Sequence, residues 1–168
     1  MKKLLLLICF LQCTHSFSQD LATLKWWSPT QYKSHVIEGQ AWPDEVKSTY
    51  DRLPARAEGN VADDVWSLSS HSAGLMIRFR SNTKKIIVRY ETKNKDNYAM
   101  DHMPATGVSG IDLYAIDSDG KELWCAGTRS FSDTITYRFQ GLRANDTYHE
   151  KGREYRLYLP LYNQVNSL

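Results

Sequence analysis

The stretch LMIRFRSNTKKIIVRY, residues 75–90, decides the fold class. Apolar and polar side chains alternate in its first half, so that Leu75, Ile77 and Phe79 fall on one face of an extended strand. Residues 86–90 repeat the alternation after a polar turn. The pattern predicts two antiparallel strands, each with one buried face and one solvated face.

The same alternation continues on both sides of this stretch, with turn residues between the runs. A hairpin is predicted at DSDG, residues 117–120, and a short helical turn is predicted from Pro43 towards Tyr50. The chain is therefore predicted to be all-β, an antiparallel β-sandwich of jelly-roll-like topology, with a barrel as the alternative. The further predicted strands are residues 65–69, 111–116, 122–126, 134–139 and 155–159.

Composition limits the size and the class of the protein. The 168 residues, 42% hydrophobic and 24% charged, are typical of one globular domain. A net charge of +2 gives no basic excess, so we expect no nucleic-acid partner.

The N-terminus has the organisation of a secretory signal peptide. Basic residues at 2–3 precede an apolar run at 4–12, and Ser16-Phe17-Ser18 is a small-x-small cleavage site. We therefore expect a signal peptide at residues 1–18 and an exported domain at 19–168, periplasmic or extracellular. The apolar run is too short for a membrane span. A lipoprotein anchored at Cys13 is the less favoured alternative, because Gln12 is poor at a position where signal peptidases prefer a small residue.

Cleavage would leave 150 residues with 19 basic and 19 acidic side chains, and Cys125 as the remaining cysteine. The exported domain is therefore expected to have no internal disulfide and to depend on its core, for which its length suffices. We interpret Cys125, next to Trp124, as a buried apolar residue and not as a nucleophile.

No catalytic or metal-binding pattern emerges from the residues alone. Ser72 follows His71 directly, and adjacent side chains of a strand point to opposite faces, so His71 is poorly placed to activate Ser72. The histidines are scattered, and Asp117-x-Asp119-Gly120 lacks the later glutamate of a calcium loop. We expect no metal ion and no cofactor.

The longest stretch without strand character after residue 60 is residues 94–110. Such a loop on a rigid sandwich is a common place for function, and its Tyr, Met and His residues would suit a sugar or a protein partner. A packed loop that covers one end of the sandwich is the equally weighted alternative.

Five ordered blocks resemble a known family. Gly110-Ile111-Asp112-Leu113-Tyr114 reads G-x-D-L-Y, and similar blocks stand at residues 50–55, 65–69, 71–75, 103–110 and 152–160. From about Trp26 to Leu168 the chain resembles the N-terminal domain of SGNH hydrolase-type esterases.

The resemblance implies a jelly-roll-like β-sandwich placed before a flavodoxin-like catalytic domain in an exported bacterial hydrolase, with several relatives being carbohydrate esterases. The family's Gly-Asp-Ser block and its oxyanion Gly and Asn are missing from this chain. Asp146-Thr147-Tyr148-His149 fits the family's Asp-x-x-His pattern, but it precedes the point where a catalytic domain would begin, so we interpret it as part of a loop. This chain alone is expected to be inactive, either as a piece of a longer protein or as a product that has lost its hydrolase domain.

The expected partner is the missing catalytic domain, with a glycan as a second candidate. A stand-alone secreted carbohydrate-binding module is the alternative function, and an independent enzyme with an unrecognised site is the least favoured one. Asp112 and Tyr114 are expected to be structural and to hold the neighbouring loop by hydrogen bonds, together with Gly110 and Leu113 of the same motif. The candidate binding or interdomain residues are His71, Ser72, His102, Met103, Thr106 and Ser109.

Overall fold

The structure is a computed structural model that describes residues 24–32, 36–143 and 151–168. The predicted signal peptide, Cys13 within it, and the Asp-x-x-His pattern at residues 146–149 lie outside the described residues.

Two antiparallel sheets contain most of the regular secondary structure of the described residues. The first has the strand order β1-β2-β8-β4-β5 and the second the order β6-β7-β3-β9. Among the described strands the chain changes sheet five times, between β2 and β3, β3 and β4, β5 and β6, β7 and β8, and β8 and β9, as in a jelly roll. The predicted β-sandwich is confirmed, and the barrel alternative is not, because the strands form two separate sheets. The strands are β1 (Ile37–Glu38), β2 (Met76–Ser81), β3 (Lys85–Thr92), β4 (Asp112–Ile116), β5 (Glu122–Trp124), β6 (Gly127–Ser130), β7 (Ile135–Gln140), β8 (Arg153–Tyr158) and β9 (Val165–Ser167).

The core lies between the sheets and follows the alternation of the sequence. Ile77, Leu157 and Leu113 stand opposite one another on three neighbouring strands and are almost fully buried. Val88 of β3 and its partner Tyr137 of β7 are buried from the other sheet. Each aliphatic side chain buried in this way stabilises the fold by about 1.5–3 kcal/mol.

The predicted strand at residues 65–69 is wrong. These residues belong to an α-helix, α1 (Asp63–Ser69), with Asp63 and Asp64 in its first turn. Carboxylates are favoured there because they interact with the positive end of the helix dipole. Val65 and Leu68 lie three positions apart and remain half exposed, so the apparent alternation does not reflect burial on one face of a sheet.

The predicted helical turn from Pro43 is also wrong. The segment forms turns and an isolated β-bridge between Val46 and Pro54, and the N–H of Ala55 donates to Glu45 O at 2.7 Å. These backbone groups pair across the segment and are therefore not available for a helix. Tyr50, at the end of the segment, is buried in the core, and burial raises its pKa to about 12.

The predicted hairpin at residues 117–120 is confirmed between β4 and β5. Gly120 has a φ of 78°, which L-residues with a side chain adopt only with strain. The Asp117 carboxylate accepts the backbone N–H groups of Asp119 at 2.9 Å and Lys121 at 2.8 Å. This carboxylate therefore builds the turn, as the sequence predicted.

Candidate functional site

Three segments that are far apart in the sequence meet at one end of the sandwich. Residues 70–75 lead into β2, residues 93–111 connect β3 to β4, and residues 159–164 connect β8 to β9. A four-residue helix, α2 (Ala105–Val108), lies within the second segment, and the N–H of Tyr162 donates to Val108 O at 3.0 Å. Most of the candidate residues predicted from the sequence lie in these segments.

Asn163 joins the three segments and was not predicted from the sequence. It is buried, and its Nδ2 donates to Ser109 Oγ at 2.9 Å and to Asn94 O at 3.3 Å. Its Oδ1 accepts the N–H of Asn94 at 3.3 Å, while its backbone O accepts the N–H of Ser72 at 3.4 Å. One amide side chain therefore satisfies polar groups that would be costly to bury alone.

Ser109 is fully buried within this network. Its hydroxyl donates to Tyr98 O at 2.9 Å, and its carbonyl oxygen accepts the Tyr90 hydroxyl at 2.6 Å. Burial raises the pKa of Tyr90 far above its ordinary value, so this phenol remains a donor. Ser109 therefore fixes the loop to β3, and its hydroxyl is not open to a ligand.

Ser72 is likewise sealed inside the domain. It is fully buried, its hydroxyl donates to Tyr50 O at 3.3 Å, and the same oxygen accepts the N–H of Val165 at 3.3 Å. Both partners are backbone groups, as a structural serine requires. The Ser72 hydroxyl is therefore held by backbone groups inside the domain.

His71 is half buried at the end of α1. Its N–H donates to Leu68 O at 3.2 Å, and its carbonyl oxygen accepts Arg52 Nε at 2.9 Å. Burial lowers the pKa of His71, and the positive charges of Arg52 and Lys93 lower it further. The imidazole is thus favoured in its neutral form at pH 7.

His102, Met103 and Thr106 lie on the outside of the long connection. His102 is exposed in a tight turn closed by two hydrogen bonds of 2.9 Å between the backbones of Met100 and Met103. The Met103 side chain lies against Gly107 of α2, and Thr106 is exposed. Of the six candidate residues, His102 and Thr106 are therefore those that solvent reaches most easily.

The four defined residues of the G-x-D-L-Y motif divide between the buried interior and the outer face of the first sheet. Gly110 and Leu113 are buried, whereas Asp112 and Tyr114 lie on the outer face of the first sheet. Asp112 accepts the indole N–H of Trp124 at 3.0 Å. Asp112 therefore bonds to a neighbouring strand and not to the adjacent loop, in contrast to our expectation.

Cys125 is half buried, and burial raises the pKa of its thiol. Since the thiolate is the nucleophilic form, this environment suits a structural cysteine. Among residues 24–32, 36–143 and 151–168, no group of three His, Cys, Asp or Glu side chains could hold a metal ion. No helix in this part of the chain is long and apolar enough to cross a membrane.

Comparison with protein families identifies the chain. The family model GxDLY, described as the N-terminus of SGNH hydrolase-type esterases, matches residues 24–168. The chain belongs to this family. The resemblance inferred from the five sequence blocks is thereby confirmed over nearly the whole chain that follows the predicted signal peptide.

A solved structure shows the same fold as this GxDLY domain. It comes from Bacteroides ovatus ATCC 8483 and is described as a GDSL-like lipase, with a TM-score of 0.65 and 24% sequence identity. The match covers 78% of this chain and 36% of that chain, so the GxDLY domain spans about a third of the length of its structural relative. A search of curated proteins found no match.

We predict that the GxDLY domain is not labelled by a fluorophosphonate, which reacts with activated serines. Ser72→Ala should lower the free energy of unfolding by about 1–2 kcal/mol, because the N–H of Val165 loses its buried acceptor. Gel fluorescence after incubation with the fluorophosphonate measures the labelling, and urea unfolding measures the free energy of unfolding. Labelling that disappears in Ser72→Ala would contradict the structural role of Ser72.

Proposed function

We propose that this GxDLY domain is the non-catalytic N-terminal accessory domain of an exported SGNH-type esterase that acts on acylated glycans. In this role it packs on the catalytic domain and shapes one wall of the cleft. Family membership supports the accessory role, and the organisation of residues 1–18 supports export. The sealed positions of Ser72 and Ser109 support a role without chemistry of its own.

One surface carries the docking part of the proposal. Leu68, Met100, Leu161 and Tyr162 are between 37% and 51% exposed, and we call this set the apolar end. The hydrogen bonds of Ser72 with Asn163 and of Tyr162 with Val108 bring its segments to the same end of the sandwich.

Half-exposed apolar side chains interact unfavourably with water, and a set of them at one place is typical of a surface that another protein covers. Covering the exposed half of one such leucine contributes about 1 kcal/mol. The buried Asn163 network joins the two segments that carry Met100, Leu161 and Tyr162, residues 93–111 and 159–164. The apolar end is thus held rigid, which lowers the entropic cost of docking.

The coding DNA beyond codon 168 tests the accessory role. The reading frame is expected to continue into a segment with a Gly-Asp-Ser block, oxyanion Gly and Asn residues and a later Asp-x-x-His block. The purified chain should not hydrolyse an aryl acetate, whereas the product of the continued frame should. A stop codon at this position, together with binding of polysaccharides by the chain, would favour the alternative of a stand-alone carbohydrate-binding module.

A further inference from the structure

Three aromatic side chains lie side by side on the outer face of the five-stranded sheet. Tyr114 of β4 stands opposite Trp124 of β5, and Tyr158 lies on the other neighbouring strand, β8. The rings of Tyr114 and Tyr158 are 5.6 Å apart and nearly perpendicular. We call these three residues the aromatic platform.

Trp124 is the most exposed large apolar side chain of the described residues, at 60%. Its indole N–H donates to Asp112 Oδ1 at 3.0 Å, and this bond fixes the ring relative to β4. The core does not need this side chain, because β5 is an edge strand with all three residues exposed. An indole that is held in place and open to solvent is prepared to stack on a ligand.

Polar groups surround the platform at hydrogen-bonding distance from one another. Glu122 Oε1 accepts Arg156 Nη1 at 2.5 Å and the Tyr158 hydroxyl at 3.3 Å. Together with Asp112, these groups offer fixed donors and acceptors beside the rings.

The charges around the platform are compensated. Arg156 pairs with Glu122 and Glu154, and Arg78, opposite Arg156 on β2, pairs with Glu38 at 2.6 Å. A polyanion would need cations that are free of carboxylate partners. The compensated charge and the aromatic rings favour a ligand with apolar faces and uncharged hydroxyl groups.

We propose that the aromatic platform binds a neutral sugar ring of a glycan. The C–H face of the pyranose stacks on Trp124, while its hydroxyl groups exchange hydrogen bonds with Asp112 and Glu122. Tyr158 ends β8 and Asp112 begins β4, at the same end of the sandwich as Asn163. The bound glycan would therefore lie next to the apolar end. The expectation of a glycan rests on the proposed function, but the site itself needs no catalytic domain.

Calorimetric titration of the purified chain with four neutral hexaoses tests the site. The ligands are cello-, xylo-, manno- and chitohexaose, and polygalacturonate is the charged comparison. We expect saturable binding of at least one hexaose, weakened about tenfold by Trp124→Ala through loss of ring stacking. Trp42→Ala is the matched control, since Trp42 is 43% exposed and stacks with Arg56 away from the platform. It should bind like the wild type.

The proposed site would be contradicted if none of the four hexaoses bound. It would also be contradicted if Trp124→Ala bound as tightly as the wild type, or if polygalacturonate bound more tightly than the hexaoses. Trp124→Ala that instead weakens binding to the catalytic domain would assign the platform to the interface and leave the accessory role intact. Conversely, hexaose binding without any binding of a catalytic domain would keep the site and overturn the accessory role.

Discussion

Gly110→Ala is expected to lower the free energy of unfolding by about 3 kcal/mol, the upper end of the usual cost of overpacking. A Cβ at this position would stand 2.6 Å from the Tyr137 hydroxyl oxygen and would also collide with the backbone O of Thr106. Neither neighbour can withdraw easily, because Tyr137 is buried between the sheets and Thr106 belongs to α2. The glycine of the motif is therefore required by the close approach of α2 to the start of β4.

Gly107→Ala is the matched control, three residues earlier in the same connection. A Cβ there would meet the Met103 Cγ at 2.9 Å, the flexible part of a side chain that can move aside. Alanine also favours the helical conformation by about 0.5–1 kcal/mol over glycine. Urea unfolding followed by fluorescence should therefore leave Gly107→Ala within about 1 kcal/mol of the wild type. Equal losses in the two variants would contradict the close-approach explanation.

Asn163→Ala is expected to cost about 3 kcal/mol, because it breaks three side-chain hydrogen bonds under the apolar end. Ser109 Oγ loses a donor in a fully buried position, where an unsatisfied polar atom is costly. The backbone of Asn94 loses both of its bonds to the side chain. Hydrogen exchange should accelerate at residues 93–111 and 159–164 before it does in the central strands.

Asn60→Ala serves as the control for Asn163→Ala. Asn60 is exposed and donates to Arg56 O at 2.8 Å, so water can replace its side chain. Its loss should change the stability by less than about 0.5 kcal/mol. If Asn163→Ala lowered the free energy of unfolding as little as Asn60→Ala, the hydrogen bonds of Asn163 would not be what holds the three segments together.

The strands were predictable where one face is buried. Residues 75–90 alternate because Ile77, Val88 and Tyr90 enter the core, while Arg78 and Arg89 remain in solvent. The same signal failed at residues 65–69, where the exposed Val65 and Leu68 carry the spacing of a helix. Hydrophobic periodicity reports burial, and it misleads where apolar side chains are exposed.

Two strands gave no such signal. β6, with the sequence GTRS, contains no large apolar residue, and it is held by backbone pairing with β7. Gly127 is required there because a Cβ would lie 2.8 Å from the Phe139 ring. β9 has only three residues, of which Val165 is buried. Edge strands of this kind depend on tertiary contacts that no local pattern encodes.

The candidate site was predicted only in part. The sequence blocks indicated Ser72 and Ser109, but the residue that connects them, Asn163, has partners 54 and 69 residues away in the chain. No local pattern marks such an asparagine. Trp124 could have been found from the sequence, because it lies two residues after the polar Glu122 on a predicted strand. Side chains two residues apart on a strand share a face, so the alternation places Trp124 on the solvated face.

Calorimetric titration of this chain with the catalytic domain would show whether the apolar end is the docking surface. That domain would be produced separately from the continued reading frame. We expect saturable one-to-one binding that Leu161→Asp weakens at least about tenfold, because it removes apolar area and buries a charge. Leu123→Asp should bind like the wild type, since Leu123 is similarly exposed but lies on β5, outside the apolar end. The absence of binding, or equal affinity of Leu161→Asp and the wild type, would contradict docking through the apolar end.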